Sequence, residues 1–223
     1  MMTNVPGLFA AGECEYQHHG ANRLGANSLV SAIFDGMVSG PKAVEYIRGL
    51  DKHSEDISST LFDREKKRHV DRYESLLKMN GTENAYVIHK ELGEWMTNNM
   101  TVVRYNDKLQ DTINKIKELK QRYSNISMTD TARWNNQGVA FTRQLWNMLE
   151  LAEAMTVGAL MRDESRGAHY KPDFPERNDD QFMKTTIARW SEDGPQISYE
   201  EIDVSLIAPR KRDYSTEKKK GGS

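Results

Sequence analysis

Carboxylate, guanidinium and free helix N–H groups fall close together within the first thirty residues. Glu13 follows the apolar run Val5–Ala11. An acidic side chain at the C-terminal end of a buried α/β strand stands where nucleotides bind, and it can accept hydrogen bonds from ribose hydroxyls. An ordinary loop acid looks the same in sequence. Arg23 lies in a Gly-rich loop between Ala21 and Leu24. Its planar fork matches a carboxylate through two hydrogen bonds, and burying it unpaired is costly; a surface or salt-bridging arginine is the plainer alternative. Asn27-Ser28-Leu29 opens a helical pattern whose first N–H groups and positive dipole end favour an anion, although Ser28 also suits a simple cap. His18 and His19 precede that loop, either as acid–base groups near neutral pH or as residues that shape it.

These residues need elements to hold them. Val5–Ala11 is almost continuously apolar, which predicts a strand buried on both faces and therefore flanked by other strands. No strand pattern of similar quality follows for more than a hundred residues. Ser28–Leu50 reads as a helix with Leu29, Ile33, Met37 and Val38 on one face, broken or kinked at Pro41 and resuming over Ala43–Leu50. The polar stretch Asp51–Asp56 marks a boundary. Helical spacing then recurs over Leu61–Met79, closed by an Asn80-Gly81 C-cap, and over Ala85–Asn98 with Val87, Leu92, Trp95 and Met96. The clearest helix is Asp107–Tyr123, with Leu109, Ile113, Ile116, Leu119 and Tyr123 in phase. Val139–Met161 follows, its stripe formed by Leu145, Met148, Leu149, Ala152 and Met155. Met and Trp on such faces read as core. Beyond Arg162 the chain becomes a polar loop with Pro172 and Pro175. It then alternates as strands over Lys184–Trp190 and Ile197–Leu206, joined by a Gly194-Pro195 turn. A basic, flexible tail ends it.

Composition narrows the function. Lys+Arg 31 against Asp+Glu 33 leaves a net charge of −2, so no global field calls for nucleic acid. The tail carries one aromatic residue, Tyr214, and no further basic patch accompanies it, so it reads as solvated. A single cysteine, Cys14, excludes an intramolecular disulfide framework and a thiolate cluster, so no metal ligands are expected. No apolar run approaches the roughly 20 residues of a membrane span, and no signal peptide is evident. The expectation is a soluble chain, or one that meets a membrane only through partners.

Taken together, Gly7-Leu8-Phe9-Ala10-Ala11-Gly12-Glu13 and His19-Gly20-Ala21-Asn22-Arg23-Leu24-Gly25-Ala26-Asn27-Ser28-Leu29 resemble the flavin-closing loop of the succinate dehydrogenase/fumarate reductase flavoprotein subunit. Glu164-Ser165-Arg166-Gly167-Ala168-His169 and Asp173–Asp180 resemble a second signature of that family, and by residue chemistry they read as an Arg–carboxylate clamp between domains. Glu13-Cys14-Glu15-Tyr16 and the basic ending are most similar to Bacillus-type members.

The resemblance implies an α/β remnant of a Rossmann-like FAD-binding domain over residues 1–52. A helical bundle (53–163), a small C-terminal α+β domain with two strands (164–208) and the basic tail (209–223) would follow. It further implies FAD as cofactor, with Glu13, Asn27, Ser28 and Leu29 at the flavin nucleotide and Gly20 and Gly25 allowing close approach. Arg23 would hold a carboxylate of succinate or fumarate as catalytic and substrate-binding residue. The family's segment lies late in its sequence, after the dinucleotide fingerprint, so a missing N-terminal half and inactivity of this chain alone are expected. Implied partners are an iron–sulfur subunit and a membrane-anchor cytochrome b subunit, with peripheral placement on the cytoplasmic face of the cell membrane. The alternatives are an L-aspartate oxidase-like FAD enzyme, which shares the closing loop, and a non-catalytic helical interaction protein, against which the orphan strand argues.

Overall fold

The computed structural model describes residues 2–15, 17–23 and 25–210. Its core is a helical bundle of α2 (Ser59–Leu77), α3 (Ala85–Asn99), α4 (Asn106–Tyr123) and α5 (Gln137–Leu160). Periodicity builds it. Leu109, Ile113, Ile116, Leu119 and Tyr123 of α4 are all buried; Ile116, Leu119 and Tyr123 face Val139, Leu145, Leu149 and Ala152 of α5 and Ala85, Ile88 and Leu92 of α3, and Leu109 packs with Met100 and Ala159. Highly charged α2 joins this core through Leu76 and Leu77 at its end, with half-buried Tyr73 packed against it. Side-chain caps set the helix starts: Asn84 accepts the Tyr86 N–H at 2.8 Å and Asn136 the Val139 N–H at 3.0 Å.

Ion pairs fix the bundle's register. Arg122 of α4 reaches Glu83 at 3.0 Å and Glu91 at 2.8 Å. Lys120 reaches Glu150 at 2.8 Å and Glu153 at 2.5 Å on α5. Three details depart from the predicted pattern. Val87 of α3 is exposed and Ile88 is buried instead. Met155 is exposed, and the buried residues around it are Ala152, Thr156 and Glu153, the last neutralised by Lys120. Gly81 is no left-handed cap: a Cβ there would lie 1.9 Å from the Asn125 carbonyl oxygen, so glycine serves a close backbone approach.

After α5 the chain forms a polar loop, the short α6 (Asp179–Phe182) and an antiparallel hairpin of β1 (Lys184–Arg189) and β2 (Gln196–Glu201), with Lys184 opposite Glu201. The second strand was predicted as far as Leu206 but stops at Glu201, because β1 offers no partner beyond Lys184. Ile202 and Leu206 lie exposed past the ladder's end. Of the predicted tail, residues 211–223 lie outside the described residues.

The first fifty residues depart most. Val5–Ala11 is not a strand: it turns over, with a single bridge between Met2 and Phe9. A strand holds its extended form through neighbours in a ladder, and the described residues place none beside it. The helix α1 (Asn27–Arg48) runs unbroken through Pro41. Gly40 precedes the proline and carries no Cβ to clash with its ring. Among the described residues no helix is long and apolar enough to cross a membrane.

Candidate functional site

Glu13 sits in a short 3-10 turn, Gly12–Cys14, with its side chain exposed. Gly12 opens that turn at φ +76°, a conformation that favours glycine. The turn packs against α1, where the Gly12 N–H donates to Asp35 Oδ2 at 3.2 Å. The Glu15 N–H closes it on the Gly12 carbonyl at 2.9 Å.

Arg23 occupies the loop between Gly20 (φ +67°) and Ala26 (φ 65°) and is exposed, its backbone N–H held by Asn22 Oδ1 at 2.8 Å. Leu24, the predicted apolar neighbour of Arg23, lies outside the described residues. The loop is pinned at its start, where His19 Nε2 lies 3.3 Å from Ser31 Oγ. Ser31 Oγ is in turn 2.9 Å from the Asn27 carbonyl and 3.0 Å from that of Ser28. His19 thus shapes the loop through α1.

Asn27, Ser28 and Leu29 form the first turn of α1, all exposed. Ser28 does not cap the helix. The cap position is Ala26, in the left-handed region and without a side-chain hydrogen bond. Their N–H groups therefore keep no side-chain acceptor from the cap residue, an arrangement suited to an anionic or acceptor-rich ligand. A Cβ added at Gly20 or at Gly25 would meet nothing within 4 Å, so the protein leaves space along this loop. The open loop, uncapped helix start and projecting carboxylate fit a nucleotide cofactor with a polar ring edge.

Sequence reasoning missed Asp35. It is fully buried on α1 beneath the Glu13 turn, and its only signal was an acid interrupting an apolar stretch.

A second polar cluster joins the bundle to the C-terminal hairpin. Glu164, fully buried, accepts from Arg162 Nε at 2.8 Å, from Arg166 Nε at 2.8 Å and from the Asn178 N–H at 2.9 Å. Arg166 and Arg177 share Asp179 at 2.7 and 2.6 Å. Arg162 also donates to Phe182 and Lys184 carbonyls and to Thr186. His169 accepts from Arg104 Nη1 at 2.6 Å on Nδ1, so its Nε2–H donates to the Arg162 carbonyl at 2.9 Å. Burial, aided by the positive charges of Arg104, Lys171 and Arg162, pushes the His169 imidazole down to about 4, against the opposing pull of that carbonyl bond. Lys171 is likewise lowered by burial although Asp163 partners it at 2.8 Å. Every member is spoken for within the protein, so this cluster is a clamp rather than a catalytic centre.

Residues 89–214 match the family model described as fumarate reductase flavoprotein C-term. The chain belongs to the succinate dehydrogenase/fumarate reductase flavoprotein family. Residues 2–29 match a second model, the FAD binding domain. The chain is 60% identical over 219 residues to the succinate dehydrogenase flavoprotein subunit of Bacillus subtilis, covering 97% of this chain and 37% of that subunit. It is 36% identical to the fumarate reductase flavoprotein subunit of Haemophilus influenzae, over 96% of this chain and 36% of that one. Among solved structures, an Escherichia coli quinol fumarate reductase superposes with a TM-score of 0.85 at 32% identity, covering 93% of this chain and 35% of that chain. The chain therefore spans little more than a third of the length of these flavoprotein relatives. The part that matches the FAD binding domain is the part that carries Glu13, Arg23 and the start of α1.

Proposed function

We propose that this chain is part of a succinate dehydrogenase flavoprotein subunit that oxidises succinate to fumarate. The observation that carries the reading is the loop 20–26, which leads Arg23 into an α1 start without a side-chain cap, inside the segment matched to the FAD binding domain. FAD, when bound, supplies the two-electron acceptor. Glu13 accepts hydrogen bonds from ribose hydroxyls of the nucleotide. Backbone N–H groups at Asn27, Ser28 and Leu29 lie along the flavin's polar edge, where the helix dipole favours negative charge. Arg23 grips one carboxylate of the substrate through its fork, orienting the carbons that lose hydrogen.

In this reading residues 1–52 complete the FAD-binding domain and 53–163 form the helical domain. Residues 164–208 form a small α+β domain clamped to it, followed by the basic tail 209–223. An iron–sulfur subunit would take the electrons on to a membrane-anchor cytochrome b subunit. That places the protein peripherally on the cytoplasmic face of the cell membrane.

The test is Arg23→Lys in a subunit completed with the upstream part of the Bacillus subtilis relative. Lysine keeps the charge and loses the fork, so succinate turnover should fall about 10²-fold or more while FAD stays bound. Turnover within a few-fold of the parent would remove Arg23 from the substrate site.

A further inference from the structure

Helix α1 is inverted relative to an ordinary amphipathic helix. Its buried residues are Asp35 and Ser39, while Ile33 and Phe34 beside them are exposed. Ser31, Asp35 and Ser39 recur every four residues and so share one face. Two of these side chains reach outward to the segments that carry site residues. Asp35 Oδ2 accepts the Gly12 N–H at 3.2 Å, beneath the turn that bears Glu13. Ser31 meets His19 at the start of the Arg23 loop. Ser39 instead returns its hydroxyl to the Asp35 carbonyl at 2.5 Å, within the helix.

Asp35 needs an explanation. It is fully buried, and its second oxygen, Oδ1, has no hydrogen-bond partner. A half-satisfied buried carboxylate costs stability, and an apolar side chain would avoid that cost. What this side chain provides, and an apolar one would not, is an acceptor for the N–H of Gly12, a residue held at φ +76° with no ladder partner in its place. Without that acceptor the Gly12–Cys14 turn loses its side-chain tie to α1.

We propose that Asp35 is a positioning residue for the cofactor site, fixing the Gly12–Cys14 turn so that Glu13 projects toward the nucleotide. The inference rests on the Glu13 reading given above. Asp35 touches no cofactor in this arrangement and acts through the backbone of Gly12.

The experiment measures FAD affinity by quenching of flavin fluorescence in the completed subunit, for Glu13→Ala, Asp35→Ala and the double variant. Asp35→Ala should weaken FAD about tenfold and Asp35→Asn, which keeps an acceptor oxygen for the Gly12 N–H, should restore most of it. In the Glu13→Ala background Asp35→Ala should add less than about twofold, because the two act through one contact. Should Asp35→Ala not fold, Asp35→Ser, too short to reach Gly12, carries the same expectation. Full multiplication of the two single effects, or wild-type affinity in Asp35→Ala, overturns the positioning role while leaving Glu13 in place. Wild-type affinity in Glu13→Ala instead removes Glu13 from the FAD site, and the positioning role with it.

Discussion

The bundle of α2–α5 and the first fifty residues are put together on opposite plans. In α4 the apolar positions are buried and the charged ones pair outward with α3 and α5. In α1 the buried positions are polar, whereas Leu29, Ile33 and Met37 are 75%, 64% and 72% exposed. One region carries its own core. The other is held by point contacts, Asp35 to Gly12 and Ser31 to His19, and leaves its apolar residues available for burial. Burial of apolar area provides most folding stability, whereas a single hydrogen bond contributes little net. The two regions should therefore respond very differently to the same kind of change.

The sharpest contrast pairs Leu119→Ala with Ile33→Ala in this chain. Leu119 is fully buried between helices, so its truncation should cost about 2–5 kcal/mol. Ile33 makes no comparable burial, and its truncation should stay within about 0.5 kcal/mol. Urea unfolding followed by far-ultraviolet circular dichroism measures both. Equal costs would break the comparison.

Acid should act on the C-terminal clamp before it acts on the bundle's ion pairs, with a smaller effect. His169 is held neutral, its folded value of about 4 lying below the ordinary 6.5. The unfolded chain therefore binds that proton more readily. The stability contributed by His169 is complete above about pH 6.5 and is lost as pH falls toward 4. Glu91, drawn down to about 2 by hydrogen bonds from Arg122 and Lys115, loses its share only as pH falls from 4.5 toward 2. The melting temperature should fall between pH 6.5 and 4, with a shallower slope in His169→Gln. An unchanged slope in that variant would take His169 out of the acid response.

What could be read in the sequence follows the same division. Helices α3, α4 and α5 fall within two residues of their predicted ends, because a bundle that buries one face writes a 3.6-residue period into its sequence. The hairpin was legible from a different period, the two-residue alternation of a half-buried strand, which β2 shows in half-buried Ile197 and Tyr199 between exposed neighbours. Val5–Ala11 misled because its composition describes a strand in a sheet, and a strand cannot form alone. Gly81 resembled a cap, yet its role depends on Asn125, more than forty residues away, which no local pattern encodes. Glu13, Arg23 and the start of α1 were singled out from residue chemistry and family likeness. Asp35 escaped because its partner is a backbone N–H, and backbone groups leave no mark in a sequence.

The central claim is that residues 2–29 complete an FAD site whose other parts lie outside this chain. Flavin absorbance tests it directly, on the chain purified after expression with excess FAD and on the same chain joined to the upstream part of the Bacillus subtilis relative. The account expects a helical, colourless protein in the first case and one tightly held FAD per subunit in the second. Stoichiometric FAD on the chain alone, or a colourless completed subunit, would contradict it.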